Sequence, residues 1–197
     1  MTGSTGEESG IDNLTGKILI AMPGMSDPRF QRSVVLICAH TDDGAMGLVL
    51  NRPLSELHFG DLLQQLEIEA GDNPRQIEVR YGGPVEPGRG FVLHSVPEHG
   101  DDPEGRMRIG STLAMTTTRD ILEDLAHGDG PDSAVLALGY AGWGPGQLEQ
   151  EMLQNGWLTG DVGAELIFGD AGADKWQIAL LSQGIDPSML SGAAGRA

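Results

Sequence analysis

The stretch Leu138-Gly139-Tyr140-Ala141-Gly142-Trp143-Gly144-Pro145-Gly146-Gln147-Leu148-Glu149 constrains this chain more than any other. An apolar segment over 133–140 reads as a strand, and it runs through four glycines into a helix expected to open at Pro145. Glycine lets backbone approach backbone, and a helix start leaves N–H groups without partners. The pattern therefore predicts an elbow that brings two aromatic rings, Tyr140 and Trp143, beside exposed backbone. Such an elbow suits a ligand, a partner or a tight packing joint, and residue types alone do not choose among the three.

The rest of the composition narrows the class. Thirty of 197 residues are glycine, about twice the usual ~7%, with no collagen-like period, so many tight turns are expected. A chain of this length buries one good core and forms one domain. Twelve Lys+Arg against 29 Asp+Glu give a net charge of −17, which disfavours nucleic acid and anionic membranes as partners. The lone Cys38 excludes an internal disulfide and a CxxC metal site. Residues 1–13 read as a disordered acidic arm with no signal-peptide core, and 14–197 as the single domain. No apolar run reaches the ~20 residues a membrane helix needs. A reduced, cytoplasmic protein is expected.

Apolar runs at 17–21, 33–40 and 45–50 read as strands. The second is apolar on both faces, as in a sheet covered on two sides, and Thr41-Asp42-Asp43-Gly44 joins it to the third as a hairpin. Helical spacing marks 59–67. Short strands follow near 78–81, 90–95 and 107–109, with an acidic loop from Pro97 to Gly105. Thr117-Thr118-Arg119-Asp120 resembles a capping box with Asp in place of Glu, opening a helix that Gly128 stops. The helix after the elbow closes at Asn155-Gly156, 164–168 reads as a strand, and 175–183 as either a strand or a short helix. Residues 191–197 form a small-residue tail. Without regular βαβ alternation the chain is an α+β domain.

The chemistry-bearing motifs are sparse. A dinucleotide fingerprint from Gly142 fails because Gln147 stands at the third glycine position, and Glu149 and Glu151 would repel a pyrophosphate. Cys38 and His40, two apart on one strand, would face the same way about 7 Å apart. They form either a reactive thiol–imidazole pair or a core cysteine beside a histidine. His94 ends an apolar strand, where a hydrogen-bonded structural role competes with catalysis. No histidine has metal-ligand spacing, so no metal or cofactor is expected. Asn51-Arg52-Pro53 and Gly88-Arg89-Gly90 could bind an anion or be tied to local groups. The candidate ligand set is thus Asn51, Arg52, Arg89, Tyr140, Trp143 and Gln147, with Cys38, His40 and His94 as the catalytic candidates.

These segments together resemble the YqgE/AlgH family of bacterial proteins. The likeness rests on Leu14 to Ala21, Asp27-Pro28-Arg29-Phe30, Arg32 to Val35, Gly44 to Pro53, Gly82-Gly83-Pro84-Val85, Arg89 to His94, Ala137 to Glu149 and Asn155-Gly156-Trp157-Leu158. It spans residues 14 to about 195. The resemblance implies a bent, split mixed sheet forming a pseudo-barrel with helices packed outside, in a bacterial cytoplasmic protein. It also implies a transcriptional-regulator label that derives from a link to alginate production, with no catalytic residues to carry over. Gly88 and Arg196 stand where the family often has Asp and His, so neither is a candidate for an indispensable role. The reading favours a non-enzymatic binding or regulatory protein with a protein or small-molecule partner. The alternative is an enzyme or thiol-reactive protein with an unassigned site.

Overall fold

The computed structural model describes residues 13–99, 103–170 and 174–190. The expected arm, Asp101, Asp102, Arg196 and the small-residue tail lie outside the described residues, apart from Asn13. In chain order the elements are β1 (Ile18–Ala21), β2 (Val34–Thr41), β3 (Gly44–Val49), α1 (Phe59–Gln65), β4 (Val79–Tyr81), β5 (Val85–Ser95), β6 (Arg106–Ile109) and β7 (Leu113–Thr116). Then come α2 (Arg119–Ala126), β8 (Ala134–Trp143), α3 (Gln147–Leu153), β9 (Trp157–Gly160), α4 (Ala164–Phe168), α5 (Lys175–Ser182) and a 3-10 turn at Pro187–Met189.

Among the described residues these strands form one curled, half-barrel sheet in the order β6-β7-β5-β8-β3-β2-β1-β9, antiparallel throughout, with β4 added parallel to β8. The α+β pseudo-barrel is therefore present. Its split lies on β8. One edge of β8 pairs with β5, while the other pairs first with β4 over Leu136–Leu138 and then with β3 over Ala141–Trp143. Between those two partners sits Gly139, at φ 74°. A Cβ there would lie 2.4 Å from the Gly83 carbonyl oxygen, and a Cβ on Gly83 would lie 2.0 Å from the Tyr140 carbonyl carbon. Only glycine allows the backbones to cross this closely, so the glycines make a fork in the sheet.

That fork corrects the elbow. The strand does not end at Tyr140 but runs on to Trp143, the turn falls at Gly144–Gly146, and α3 opens at Gln147 rather than Pro145, with Gly146 left-handed at φ 69°. Strand alternation then sends Tyr140 and Trp143 to opposite faces. Tyr140 packs edge-on to Phe91 at 5.8 Å, whereas Trp143 lies under α3.

Three apolar clusters hold the layers. Ile18, Ile20, Leu36, Leu48, Phe91 and Leu93 meet α4 and α5 on the inside of the curl. Leu19, Val35, Ile37 and Trp143 meet α3 on the other side, and Val79, Val92 and Leu136 meet α1 and α2. Each such side chain contributes roughly 1.5–3 kcal/mol when fully buried. Strand β2 has buried residues on both faces, as its composition predicts. The β2–β3 hairpin is present.

Other expectations are corrected. Residues 164–168 are helix, not strand: Leu166 and Ile167 turn inward together, as helical spacing allows, and 175–183 resolves as α5. Strands β7 and β9, absent from the sequence reading, form the second and eighth positions of the sheet. The N-cap of α2 is Thr118, not Thr117, and its side chain makes no capping bond. Instead Arg119 ties the helix start to the carbonyls of Leu66 and Glu67.

Candidate functional site

Beneath α3 a cluster of aromatic rings gathers round one carboxylate. Trp143 ends β8, Trp157 begins β9, and Phe30 comes from the loop between β1 and β2. Phe30 stacks on Trp143 at 6.4 Å and meets Trp157 edge-on at 5.7 Å, with the two indoles 6.0 Å apart. Glu151 on α3 accepts the indole N–H of Trp143 at 3.0 Å and that of Trp157 at 2.8 Å through the same Oε2. Its Oε1 accepts from Gln147 Nε2 at 3.0 Å, and Gln147 Oε1 in turn accepts the Gly144 N–H at 3.0 Å. Every polar edge of the aromatic cluster is thus satisfied, and the turn at Gly144 is tied to the helix it opens.

This network floors a cavity of about 640 Å³, within the usual size range of small-molecule sites. Its walls are polar: Ser26, Asp27 and Arg29 on one side, Gln154 and Asn155 on the other, with Pro84 and Val85 from the fork. Asp27 and Arg29 form a bidentate pair, the shortest contact being 2.7 Å. The Arg29 guanidinium beside Asp27 holds that carboxyl below the usual carboxylate range. Segments far apart in sequence, 24–30, 84–85, 142–147 and 151–157, meet here.

The sequence candidates are distributed rather than gathered. Trp143 and Gln147 line this cavity. Arg89 and Tyr140 line another of about 480 Å³, on the opposite face of β8, with Met46, Phe91 and Met107. Neither cavity is lined by Asn51 or Arg52. Asn51 accepts the Val34 N–H at 2.9 Å and donates to the Arg32 carbonyl at 2.8 Å, and Arg52 donates to the Gln31 carbonyl at 3.0 Å. Both therefore strap the end of the loop that carries Phe30.

Cys38 and His40 do not form a pair. Ile37 faces Gly47 and Ala39 faces Met46, so Cys38 is an extra bulged residue and the alternation of β2 reverses after it. Cys38 points into the inner core, 1% exposed, and burial pushes its thiol up to about 12. His40 turns the other way, accepting the Leu14 N–H on Nδ1 at 3.1 Å and contacting Glu149 Oε1 through Nε2 at 2.6 Å. With Nδ1 accepting, the ring proton sits on Nε2. Glu149's own backbone N–H, and then His40, hold that carboxyl below its ordinary value. His94 is buried, bonded through Nε2 to Thr116 Oγ1 at 2.8 Å and through Nδ1 to the Ser95 carbonyl at 3.0 Å, and burial lowers its pKa.

Sequence reasoning missed Phe30, Glu151 and Trp157. The four-residue spacing of Gln147 and Glu151, which puts both on one face of α3, was the signal available for Glu151.

A family model described as DUF179, AlgH-like, matches residues 18–188. The chain belongs to the AlgH-like family. A UPF0301 protein of Paracoccus denitrificans is 67% identical over 185 residues, 94% of this chain and 97% of that one. Another, from Bradyrhizobium diazoefficiens, is 48% identical over 205 residues, covering 100% of this chain and 95% of its own length. The solution structure of AlgH from Pseudomonas aeruginosa is similar at TM-score 0.75 and 39% identity, covering 97% of this chain and 100% of its own. A crystal structure from Corynebacterium diphtheriae shares the fold at TM-score 0.68 and 22% identity, over 86% and 87% of the two chains. Four of the eight segments that carry the AlgH-like resemblance in the sequence, Asp27 to Phe30, Gly82 to Val85, Ala137 to Glu149 and Asn155 to Leu158, contribute to the Trp143–Trp157 cavity.

Proposed function

We propose that this protein is a non-catalytic binding protein, acting in the cytoplasm through a protein or small-molecule partner seated in the cavity over Trp143 and Trp157. The observation that carries this reading is the Glu151 carboxylate bridging two buried indoles. Its polar groups are bonded to one another and fix the aromatic floor, which is how a preorganised recognition surface is built. A regulatory role, the label the family bears, is then exerted through that partner rather than by contact with an operator. In the helices described, the Lys and Arg residues are Arg119, paired with Glu123 at 2.7 Å, and the buried Lys175. Neither gives a helix a basic face suited to a DNA groove.

The indole N–H resonances provide the test. A fragment and peptide screen by two-dimensional NMR is expected to yield ligands that shift the Trp143 and Trp157 signals and leave Trp176, on α5, unmoved. Hits that map elsewhere, or a screen that moves neither indole, would overturn the reading. An electrophoretic mobility assay at low salt is expected to show no DNA retardation, and a retarded band would favour operator binding instead.

A further inference from the structure

Two buried cations sit under the end of α4 and take no part in the aromatic cavity. Lys175, the first residue of α5, is 2% exposed, and its Nζ donates to the carbonyls of Leu166 at 2.7 Å and Ile167 at 3.2 Å. Arg80 on β4, 1% exposed, donates to the carbonyls of Ile167 and Gly169 and pairs with Glu78 at 2.6 Å. Lys175 also lines a cavity of about 470 Å³ whose other walls include Asp161, Glu165, Asp170, Ile178 and Ser182.

We propose that Lys175 is the nucleophile of a second site, capturing a small uncharged aldehyde or ketone from this cavity as a Schiff base. An amine is nucleophilic only when unprotonated, and burial beside another cation is a known way to make it so. Burial first, and then the Arg80 charge, push the Lys175 amine down to about 8, while Glu78, Glu165 and Asp170 pull the other way. The carbonyls of Leu166 and Ile167 fix the direction of Nζ. The acidic rim repels carbonyl compounds that carry a carboxylate, which sets the preference for uncharged ones.

The chemistry balances without an added oxidant or reductant. The Nζ lone pair adds to the carbonyl carbon, the C=O π pair moves to oxygen, and a proton passes from nitrogen to oxygen to give a carbinolamine. Glu165 or Asp170, lining the cavity, passes a proton to the hydroxyl, which leaves as water while the nitrogen lone pair closes the C=N bond, and the N–H proton of the resulting iminium returns to the carboxylate. One amine and one carbonyl become one imine and one water.

The chain has two lysines, Lys17 and Lys175, which makes the test direct. The folded protein is treated with propionaldehyde and cyanoborohydride between pH 6 and 9, and the alkylated positions are mapped by peptide mass. Lys175 is expected to react roughly tenfold faster than the exposed Lys17 at pH 7, with a rate that rises about tenfold per pH unit and levels above pH 8. Pyruvate is expected to label it far more slowly. In Lys175→Arg, which keeps the cation, alkylation at this position is lost while Lys17 still reacts. Labelling of Lys17 and the α-amine alone, with Lys175 protected until denaturant is added, would overturn the proposal, and so would equal rates at the two lysines. Should the variant not fold, the wild-type map by itself decides.

Discussion

Single residues set the chemistry of the candidate cavity by what they satisfy. Replacing Glu151 by Ala strands two buried indole N–H groups and frees Gln147. A loss of about 2–4 kcal/mol is expected in denaturant unfolding, while Glu149→Gln, which keeps a side chain beside His40, should cost less than half as much. The buried thiol gives an equally sharp expectation. With its pKa at about 12, Cys38 should not be alkylated by iodoacetamide in the folded protein at pH 8, and should react at once in denaturant. Rapid labelling under native conditions would contradict the inward placement of Cys38. Its type and position in the run Val34 to Ile37 made that core role legible in the sequence. The reversal that parts it from His40 was not, because a bulge is a property of two paired strands and leaves no mark on one.

At the scale of elements the fork in β8 matters most. Gly139 must be left-handed and must admit the Gly83 carbonyl where a Cβ would lie. Gly139→Ala is therefore expected to destabilise the fold by several kcal/mol, well beyond the ~1 kcal/mol of an ordinary glycine replacement. Gly88→Ala, whose Cβ would meet nothing within 4 Å, should leave the melting temperature almost unchanged. Equal melting temperatures for the two variants would remove the fork as a constraint. The misreading of α4 has a physical cause too. Five residues are too few for periodicity to separate helix from strand, and Ala164–Phe168 is held as helix by the packing of Leu166 and Ile167 and by cations donating to its final carbonyls.

For the whole molecule, buried ionisable groups link stability to pH. Lys175 has an ordinary value of 10.5 and titrates near 8 when folded. Below pH 8 both states carry the charge and the fold bears the full cost of burying it. Between about 8 and 10.5 the unfolded chain holds a proton that the folded one has released, so stability rises with pH across that window. The gain is of order 3 kcal/mol. Buried Cys38 works in the opposite direction above its ordinary 9.0, so the Lys175 contribution is read as the difference between wild type and Lys175→Met. The stability of wild type relative to Lys175→Met should rise from pH 7 to 10, and a constant difference would mean that Lys175 does not titrate in this range. The sequence by itself determined the acidity, the α+β class, most strands near their true limits, and the segments that carry the family. These follow from composition and from periodicities a few residues long. Tertiary structure alone decided which residues meet. It put Tyr140 and Trp143 on opposite faces, parted Cys38 from His40, joined Phe30, Glu151 and Trp157, and buried Arg80 and Lys175 together. Such meetings depend on how paired strands register and how a sheet curls, and those arise between segments distant in the chain.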